Sequence, residues 1–181
     1  IGWRNLTNNR RPVATANDIK GLKIRTTPNP AHIKAFQLLG AIPTPMAFTE
    51  LFTALETGTV DGQENPFTNI ENMKFYEVMT QIVLTSHLVG FDLLTISLDT
   101  WNGLTPDQQA KVQSAADEAI AWSTAEHQKR EADLASFMEE QGLKLYKPDV
   151  DAFRAHAQKM YLESDLAKDW PEGMVDRINA L

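Results

Sequence analysis

The sequence predicts an α/β fold in which at least some strands pair in parallel. Short strand-like and helix-like segments alternate between residues 22 and 57. Strands joined by helices in units this short are typical of parallel pairing. A run of roughly 35 residues without proline or glycine then follows Pro106. This predicts one helix about three times the usual length, and in a two-domain protein such a helix usually bridges both parts.

Three strand patterns, each followed by a helix pattern, occupy the first third of the chain. The strands are predicted at residues 1–8, 22–26 and 42–46, and the helices at 15–21, 30–39 and 49–57. Thr15 and Asp18 have the spacing of a capping box, and Asn29 precedes a proline as a helix N-cap does. Leu22 and Ile24 should point to one side of their strand, which leaves Arg25 on the other side with Lys23.

The middle of the chain begins with a polar segment. Residues 61–66 read Asp-Gly-Gln-Glu-Asn-Pro, and we expect a turn there, with Asn65 as the default N-cap of a helix over 66–79. Two β-rich segments follow, at 81–87 and 91–98. The second is almost entirely apolar or β-branched, which predicts a buried strand shared between two domains.

The last part of the chain is predicted to be mainly helical. Thr105 and Gln108 form a second capping-box pattern, and Gly142 should end the long helix that begins there. The remaining elements are a strand at 143–146 and helices at 149–162 and 170–181. No internal repeat is visible.

Composition excludes several functional classes. A net charge of −7 over 181 residues, with scattered basic residues, argues against a nucleic-acid partner. The absence of cysteine excludes disulfides, thiolate metal sites and cysteine nucleophiles. No run reaches the length of a membrane span, so the chain should not be embedded in a membrane. The N-terminal residues do not resemble a signal peptide.

The sequence offers no convincing catalytic centre. Neither a phosphate-binding glycine loop nor a Gly-x-Ser-x-Gly elbow occurs, and no two of the four histidines have metal-ligand spacing. We therefore expect no enzyme activity, no cofactor and no metal site. Of the histidines, His32 lies in the first turn of a helix near Arg25 and is kept as a candidate for ligand binding.

Arg25 is the most informative residue, because it is predicted to lie in an apolar strand. A buried guanidinium needs a partner, and a carboxylate can bind it through two parallel hydrogen bonds. Residue patterns leave two alternatives open. The partner is either an external carboxylate, or an acid of the protein such as Glu64 or Asp61.

Five ordered motifs resemble the solute-binding proteins of tripartite ATP-independent periplasmic (TRAP) transporters, the DctP-like family. They read GWRNLTN from residue 2, DIKGLKIR from 18, LGAIPTPMAF from 39, ALETGTVDGQENP from 54 and KFYEV from 74. The resemblance continues through Thr85-Ser86-His87 and Trp101 to the long helix. It therefore covers nearly all of the chain.

The resemblance implies a periplasmic protein of the type II binding-protein fold. Two α/β domains joined by crossing strands and a long helix close over a small organic acid, of the sugar-acid or C4-dicarboxylate type. The protein then delivers the acid to the permease subunits of the transporter. An organic-acid sensor domain, an enzyme that reuses the fold, or an α/β interaction module with an internally paired Arg25 are the alternatives.

The resemblance also implies ligand-binding roles for individual residues. The arginine of the Lys-Ile-Arg motif, here Arg25, holds the ligand carboxylate, and the asparagine of the Gln-Glu-Asn-Pro segment, Asn65, touches the ligand. Arg4 supports the ligand or its neighbours, and Phe48 packs against it. Glu64 and His32 complete the candidate set.

Compared with the family pattern, the chain corresponds to the second domain and a small part of the first. We expect residues 1–90 and 131–181 to form the second, ligand-binding α/β domain. Residues 91–130 should be a crossing strand and a part of the long helix that belong to the first domain.

Overall fold

A computed structural model describes residues 2–168 and 170–180, and for residues 132 and 166 it describes the backbone alone. Six strands form one sheet: β1 Gly2–Asn8, β2 Lys23–Thr26, β3 Ile42–Pro45, β4 Gly62–Pro66, β5 Gln81–Gly90 and β6 Lys144–Tyr146. Seven α-helices accompany them: α1 Pro30–Leu38, α2 Leu51–Glu56, α3 Phe67–Asn72, α4 Leu98–Asn102, α5 Pro106–Glu140, α6 Val150–Leu162 and α7 Met174–Asn179. Short 3₁₀ turns lie at Ala16–Ile19, Phe48–Glu50, Phe75–Glu77 and Asp165–Ala167.

The sheet is mixed, with the strand order β3-β2-β4-β1-β5-β6. Strands β3, β2 and β4 run parallel to one another, β6 runs parallel to β5, and β1 pairs antiparallel with both β4 and β5. The predicted parallel α/β layout is therefore confirmed. Because α1 follows β2 and α3 follows β4, both connections leave the sheet at the same edge, where parallel α/β proteins place their ligands.

Apolar side chains cover the sheet on both faces. One cluster joins α2, α3 and the end of α5 to the sheet through Leu51, Ile70, Ile82 and Met138 among others. The other joins α1 and α6 to the opposite face, through Ile24, Phe36, Val83 and Phe153. Ile82 and Val83 are neighbours in β5 that serve different clusters, as the alternation of a strand requires.

Most of the predicted helix starts are correct. The capping boxes at Thr15 and Thr105 and the N-cap at Asn29 are present, and the long helix spans 35 residues. The predicted helix over 66–79 is instead two short pieces, because Lys74 adopts a left-handed conformation with φ 54° that interrupts a helix.

The predicted turn at residues 61–66 is wrong, because residues 62–66 form β4, which lies between β2 and β1 inside the sheet. Its side chains are polar but buried, and Gln63, Glu64 and Asn65 all make hydrogen bonds within the protein. Buried polar groups are tolerated when they are bonded in this way. Asn65 is accordingly a strand residue, and Pro66 rather than Asn65 precedes α3.

The predicted strand at residues 91–98 is also wrong. Residues 91–97 have no regular secondary structure, and Leu98 begins α4. Phe91 and Leu93 are 73% and 77% exposed. The chain leaves the sheet after Gly90, and the described residues offer 91–97 no strand edge with which to pair. Apolar β-branched composition does not make a strand without such a partner.

The ends of the chain differ slightly from expectation. The tail helix predicted at 170–181 is shorter, since α7 runs from Met174 to Asn179. Ile1 of the first predicted strand and Leu181 of the last predicted helix lie outside the described residues. No helix in the described part of the chain combines the length and the apolar composition needed to cross a membrane.

Candidate functional site

The six candidate residues meet at the edge of the sheet where β2 and β4 end and β1 begins. Arg25, Glu64, Asn65 and Arg4 lie on those three strands, in adjacent register: Arg25 opposite Gln63, and Arg4 opposite Pro66. His32 comes from the first turn of α1, and its Nδ1 lies 3.9 Å from a Glu64 oxygen. Phe48 comes from the 3₁₀ turn before α2 and places its ring 5.6 Å from the Arg25 guanidinium carbon.

Arg25 is 2% exposed, and the described residues provide it with no ion pair. Its Nε and Nη2 atoms donate to the carbonyl of Met46, at 3.3 and 3.0 Å, whereas its Nη1 donates to no group in the described part of the chain. Burial lowers the pKa of Arg25, the charge of Glu64 partly opposes this, and the charge of Arg4 lowers it further. A buried guanidinium that makes no ion pair can bind an anion by donating charge-assisted hydrogen bonds to it.

The internal alternatives for Arg25 are not formed. Asp61 forms an ion pair with Arg10, whose Nε lies 3.5 Å from Asp61 Oδ1. Its Oδ2 accepts a hydrogen bond from the backbone N–H of Lys23 at 2.9 Å. Glu64 pairs with Arg4, whose Nη2 donates to its Oε1 at 2.8 Å while Nε donates to Oε2. Both acids named as internal partners are therefore engaged elsewhere.

Glu64 is the centre of the polar network. It is 1% exposed. Its Oε2 also forms a hydrogen bond with His87 Nε2, at 3.2 Å. Burial by itself raises the pKa of Glu64, but the hydrogen bonds of His87 and Arg4 and the charge of Arg4 outweigh it, so that the pKa falls to about 2. Glu64 is thus a buried carboxylate anion at neutral pH.

His87 reaches this network because β5 is irregular. The β1–β5 register shifts between Arg4 and Leu6, and Ser86 has a positive φ of 43°. The Asn5 side chain closes the irregularity by accepting from the Ser86 N–H at 3.1 Å. A bulge changes the direction of nearby side chains, and here the imidazole of His87 lies between the Thr85 hydroxyl, 2.7 Å from Nδ1, and Glu64.

Asn65 is held by a chain of side-chain amides. Its oxygen accepts from Arg4 Nη2 at 3.2 Å and from Asn69 Nδ2 at 3.0 Å. Its nitrogen donates to the Gln63 oxygen, and Gln63 in turn donates to the Thr7 hydroxyl at 3.1 Å. Asn65 therefore helps to fix the position of Arg4, and its amide keeps one hydrogen that no group of the described residues accepts.

The comparisons with known proteins match this arrangement to one family. The model of the family described as bacterial extracellular solute-binding protein, family 7, matches residues 1–166. The chain belongs to this family. Its architecture is that of a type II binding protein, since a TRAP periplasmic solute-binding protein from Roseobacter denitrificans, solved with bound 3-deoxy-D-manno-oct-2-ulosonic acid, superposes with a TM-score of 0.92. That structure is 44% identical in sequence, and the match covers 99% of this chain and 60% of the other.

Two curated members of the family are similar over most of the chain. The sialic acid-binding periplasmic protein SiaP of Vibrio cholerae is 38% identical over 164 residues, which is 91% of this chain and 51% of that protein. The 2,3-diketo-L-gulonate-binding periplasmic protein YiaO of Escherichia coli is 38% identical over 180 residues, or 95% and 52%. The chain thus spans about half the length of the curated family members it matches.

Three polar residues that border the six candidate residues of this chain were not identified from the sequence as ligand-binding candidates. They are His87, Gln63 and Asn69. Gln63 adjoins Glu64 and Asn65 in sequence, and its polar neighbours are a sufficient signal. The Thr85-Ser86-His87 segment is polar within an otherwise apolar strand, which is a usable signal too. Asn69 becomes a neighbour of Asn65 only because α3 starts directly after β4.

A groove of about 530 Å³ lies away from the six candidate residues. It is lined by Gly90, residues 91–94 and side chains of α5 from Ala119 to Glu131. None of its lining residues belongs to the Arg25 cluster. Mainly apolar walls and one exposed segment fit a packing surface better than a site for an organic anion.

Proposed function

We propose that this chain is the ligand-binding part of an extracytoplasmic solute-binding subunit of a TRAP transporter. The protein captures a small organic acid of the sugar-acid or C4-dicarboxylate type in the periplasm and delivers it to the membrane permease subunits. Membership of the family supports this role, as do the acids named for the related proteins, namely sialic acid, 2,3-diketogulonate and 3-deoxy-D-manno-octulosonic acid.

The observation that carries the proposal is the state of Arg25. Its guanidinium is buried, makes no ion pair with the described residues, and donates to a backbone carbonyl. Leaving a cation in that state costs free energy. A ligand carboxylate that accepts from Arg25 recovers this cost, and the resulting charge-assisted hydrogen bonds are stronger than neutral ones.

The remaining candidates have supporting roles in this proposal. Phe48 forms an apolar wall beside the bound carboxylate, in ring contact with Phe75. Arg4 and Asn65 present donors at the end of β4. The Nδ1 of His32 bonds to the Thr27 hydroxyl at 3.0 Å, which leaves Nε2 for a ligand hydroxyl. Glu64 acts through Arg4 and His87.

The proposal includes a division of the chain into two parts. Residues 1–90 and 131–181 form the second domain of the binding protein, and residues 91–130, which we call the arm, pack against the first domain. No residue of the arm is buried within the described part of the chain. Its exposed apolar side chains include Phe91, Leu93, Leu94, Leu98 and Trp122, a set that a soluble protein normally covers.

Replacement of Arg25 by lysine tests the proposal. The Arg25→Lys variant keeps the charge but loses the planar fork that binds a carboxylate through two bonds. We expect its affinity for the acid to fall roughly ten- to a hundredfold, the range for one charge-assisted hydrogen bond. The measurement is titration calorimetry on the complete gene product with a panel of sugar acids and C4 acids.

The matched control is Arg154→Lys, because Arg154 is an exposed arginine on α6 that pairs only with Asp151 among the described residues. It should bind the acid like the unaltered protein. Unchanged affinity in Arg25→Lys would contradict the assigned role of Arg25. Turnover of the bound acid, followed by mass spectrometry of the mixture, would favour an enzyme over a binding protein.

A further inference from the structure

The charges around Arg25 do not balance. Two guanidinium groups, of Arg4 and Arg25, face the single carboxylate of Glu64. Arg4 and Glu64 are joined through two pairs of atoms, so these two charges offset each other locally. Arg25 keeps one positive charge that no carboxylate of the described residues pairs with.

Other ionisable groups do not change this balance. Burial lowers the pKa of His32, against an opposing effect of Glu64, and the charges of Arg4, His87 and Arg25 lower it further, so His32 is uncharged at pH 8. The charged groups that act on Arg25 within the described part of the chain are Glu64 and Arg4. Since Glu64 offsets Arg4, these three charged groups together have one surplus positive charge, which is that of Arg25.

We infer that the site prefers a hydroxylated organic acid with one carboxylate over the matched acid with a second carboxylate at its other end. This inference rests on the proposed function and narrows its ligand class. The first carboxylate neutralises Arg25 and leaves the cluster without a net charge. A second carboxylate would lose its water without gaining an unpaired cation from this domain, which is costly.

A hydroxyl group in the same place has no such cost. Neutral groups of the cluster can bond to it, among them His32 Nε2 and the remaining amide hydrogen of Asn65. Discrimination of this kind comes from the unpaired charge of the disfavoured ligand as much as from the contacts of the preferred one.

Matched pairs of acids test the inference on the complete gene product. The pairs are threonate with tartrate, xylonate with xylarate, and gluconate with glucarate, and the members of each pair differ by a terminal CH₂OH or carboxylate. In every pair that binds, calorimetry at pH 8 should give the monoacid a dissociation constant at least about tenfold lower, equivalent to about 1.4 kcal/mol.

A second arm of the experiment changes the charge of the cluster. Glu64→Gln removes the carboxylate that offsets Arg4, so it adds one positive charge with little change of shape. The preference for the monoacid should then shrink at least about threefold. Glu56→Gln, at the exposed end of α2, is the matched control and should leave the preference unchanged.

The outcomes separate the inference from the proposed function. A diacid that binds as tightly as its monoacid, or more tightly, in the unaltered protein overturns the inference and leaves the proposed function standing. Failure of every acid to bind overturns both. The pairs decide the matter in the unaltered protein even where Glu64→Gln does not fold, and a preference that stays the same in a folded Glu64→Gln variant overturns the charge argument.

Discussion

At the scale of single residues, the molecule uses its two buried arginines differently. Arg4 is neutralised inside the protein, by a carboxylate that is itself 1% exposed. Arg25 lies on β2, which β4 separates from the β1 strand of Arg4. It is buried to a similar degree, but no acid of the described residues neutralises it. Glu64 makes this difference possible, because it holds Arg4 in place and lowers the net charge that a ligand must meet.

The lowered pKa of Glu64 gives a prediction about pH and stability. A carboxyl group whose folded pKa of about 2 lies below the ordinary 4.5 stabilises the fold above pH 4.5, and this contribution disappears as the pH falls toward 2. The gap between the two values corresponds to about 3 kcal/mol. Glu64→Gln lacks the contribution, and it also leaves Arg4 without its partner.

We therefore expect the complete gene product to have a higher free energy of unfolding than Glu64→Gln at pH 7, by about 3 kcal/mol. The difference should narrow steadily from pH 4.5 to pH 3. Urea unfolding at pH 7, 5, 4 and 3 measures it. A difference that does not change with pH would mean that Glu64 is not ionised in the folded protein with the pKa given above. Glu56→Gln, which removes an exposed carboxylate at the end of α2, is the control for the loss of one negative charge.

At the scale of elements, the central position of β4 depends on a glycine. A Cβ atom added to Gly62 would lie 2.0 Å from the carbonyl oxygen of Thr7 and 2.9 Å from the Cα of Asn8. Both contacts are with the backbone of β1, which pairs with β4 at this point. The two strands approach as closely as they do only because residue 62 has no side chain.

Gly62→Ala should therefore separate the start of β4 from β1 and lower the free energy of unfolding by about 3 kcal/mol, at the upper end of overpacking effects. Ligand affinity should fall as well, because Glu64 and Asn65 follow on the same strand. The matched change is Gly103→Ala, where the nearest atoms are 3.5 Å away and φ is −79°. Urea unfolding of both variants should show at most about 1 kcal/mol for Gly103→Ala. Equal effects would contradict the close contact at Gly62.

The same strand marks a limit of prediction from the sequence. Helix starts could be predicted because a cap is local: Asn29, Thr105 and Gln108 are close in sequence to the backbone groups that they bond. The strand at 62–66 could not, since its polar side chains resemble a turn until their partners on β1 and β5 are known. The strand predicted at residues 91–98 was wrong for the opposite reason. Their composition suits a strand, but they pair with no strand edge in the described part of the chain.

The position of Arg25 in a buried strand could be predicted, because a charged residue in an apolar strand is conspicuous by itself. That no acid of the described residues pairs with Arg25 could not be predicted, because Glu64 is 39 residues away and its pairing with Arg4 depends on the register of β1 against β4. The place of His87 depends on a shift in the β1–β5 register. Local sequence carries little information about such a shift.

At the scale of the whole molecule, the arm is the feature that the described domain does not explain. Its helical parts are α4 and the N-terminal portion of α5. The C-terminal portion of α5 packs into the core through Leu134 and Met138. Arg130 and Glu71 form an ion pair near the point where α5 meets the domain, at 2.6 Å. A helix without packing partners gains little stability in water. The arm is therefore expected to pack against further structure in the complete protein.

This expectation gives a prediction that separates the arm from the rest of the surface. Leu93 is 77% exposed on the arm, and Ile178 is 56% exposed on α7. If the arm packs against the first domain, Leu93→Ser in the complete gene product removes a buried side chain and lowers the free energy of unfolding by about 2 kcal/mol. Ile178→Ser, outside the arm, should change it by less than about 0.5 kcal/mol.

Urea unfolding of the two variants measures this contrast. Hydrogen exchange adds a local readout, because the amides of residues 109–127 should exchange slowly in the unaltered protein and faster in Leu93→Ser. If Leu93→Ser is as stable as Ile178→Ser and those amides exchange rapidly in both, the arm is a solvated surface, and the assignment of residues 91–130 to a first domain is wrong. The assignment of Arg25 would survive that result, since it rests on contacts within residues 4–87 alone.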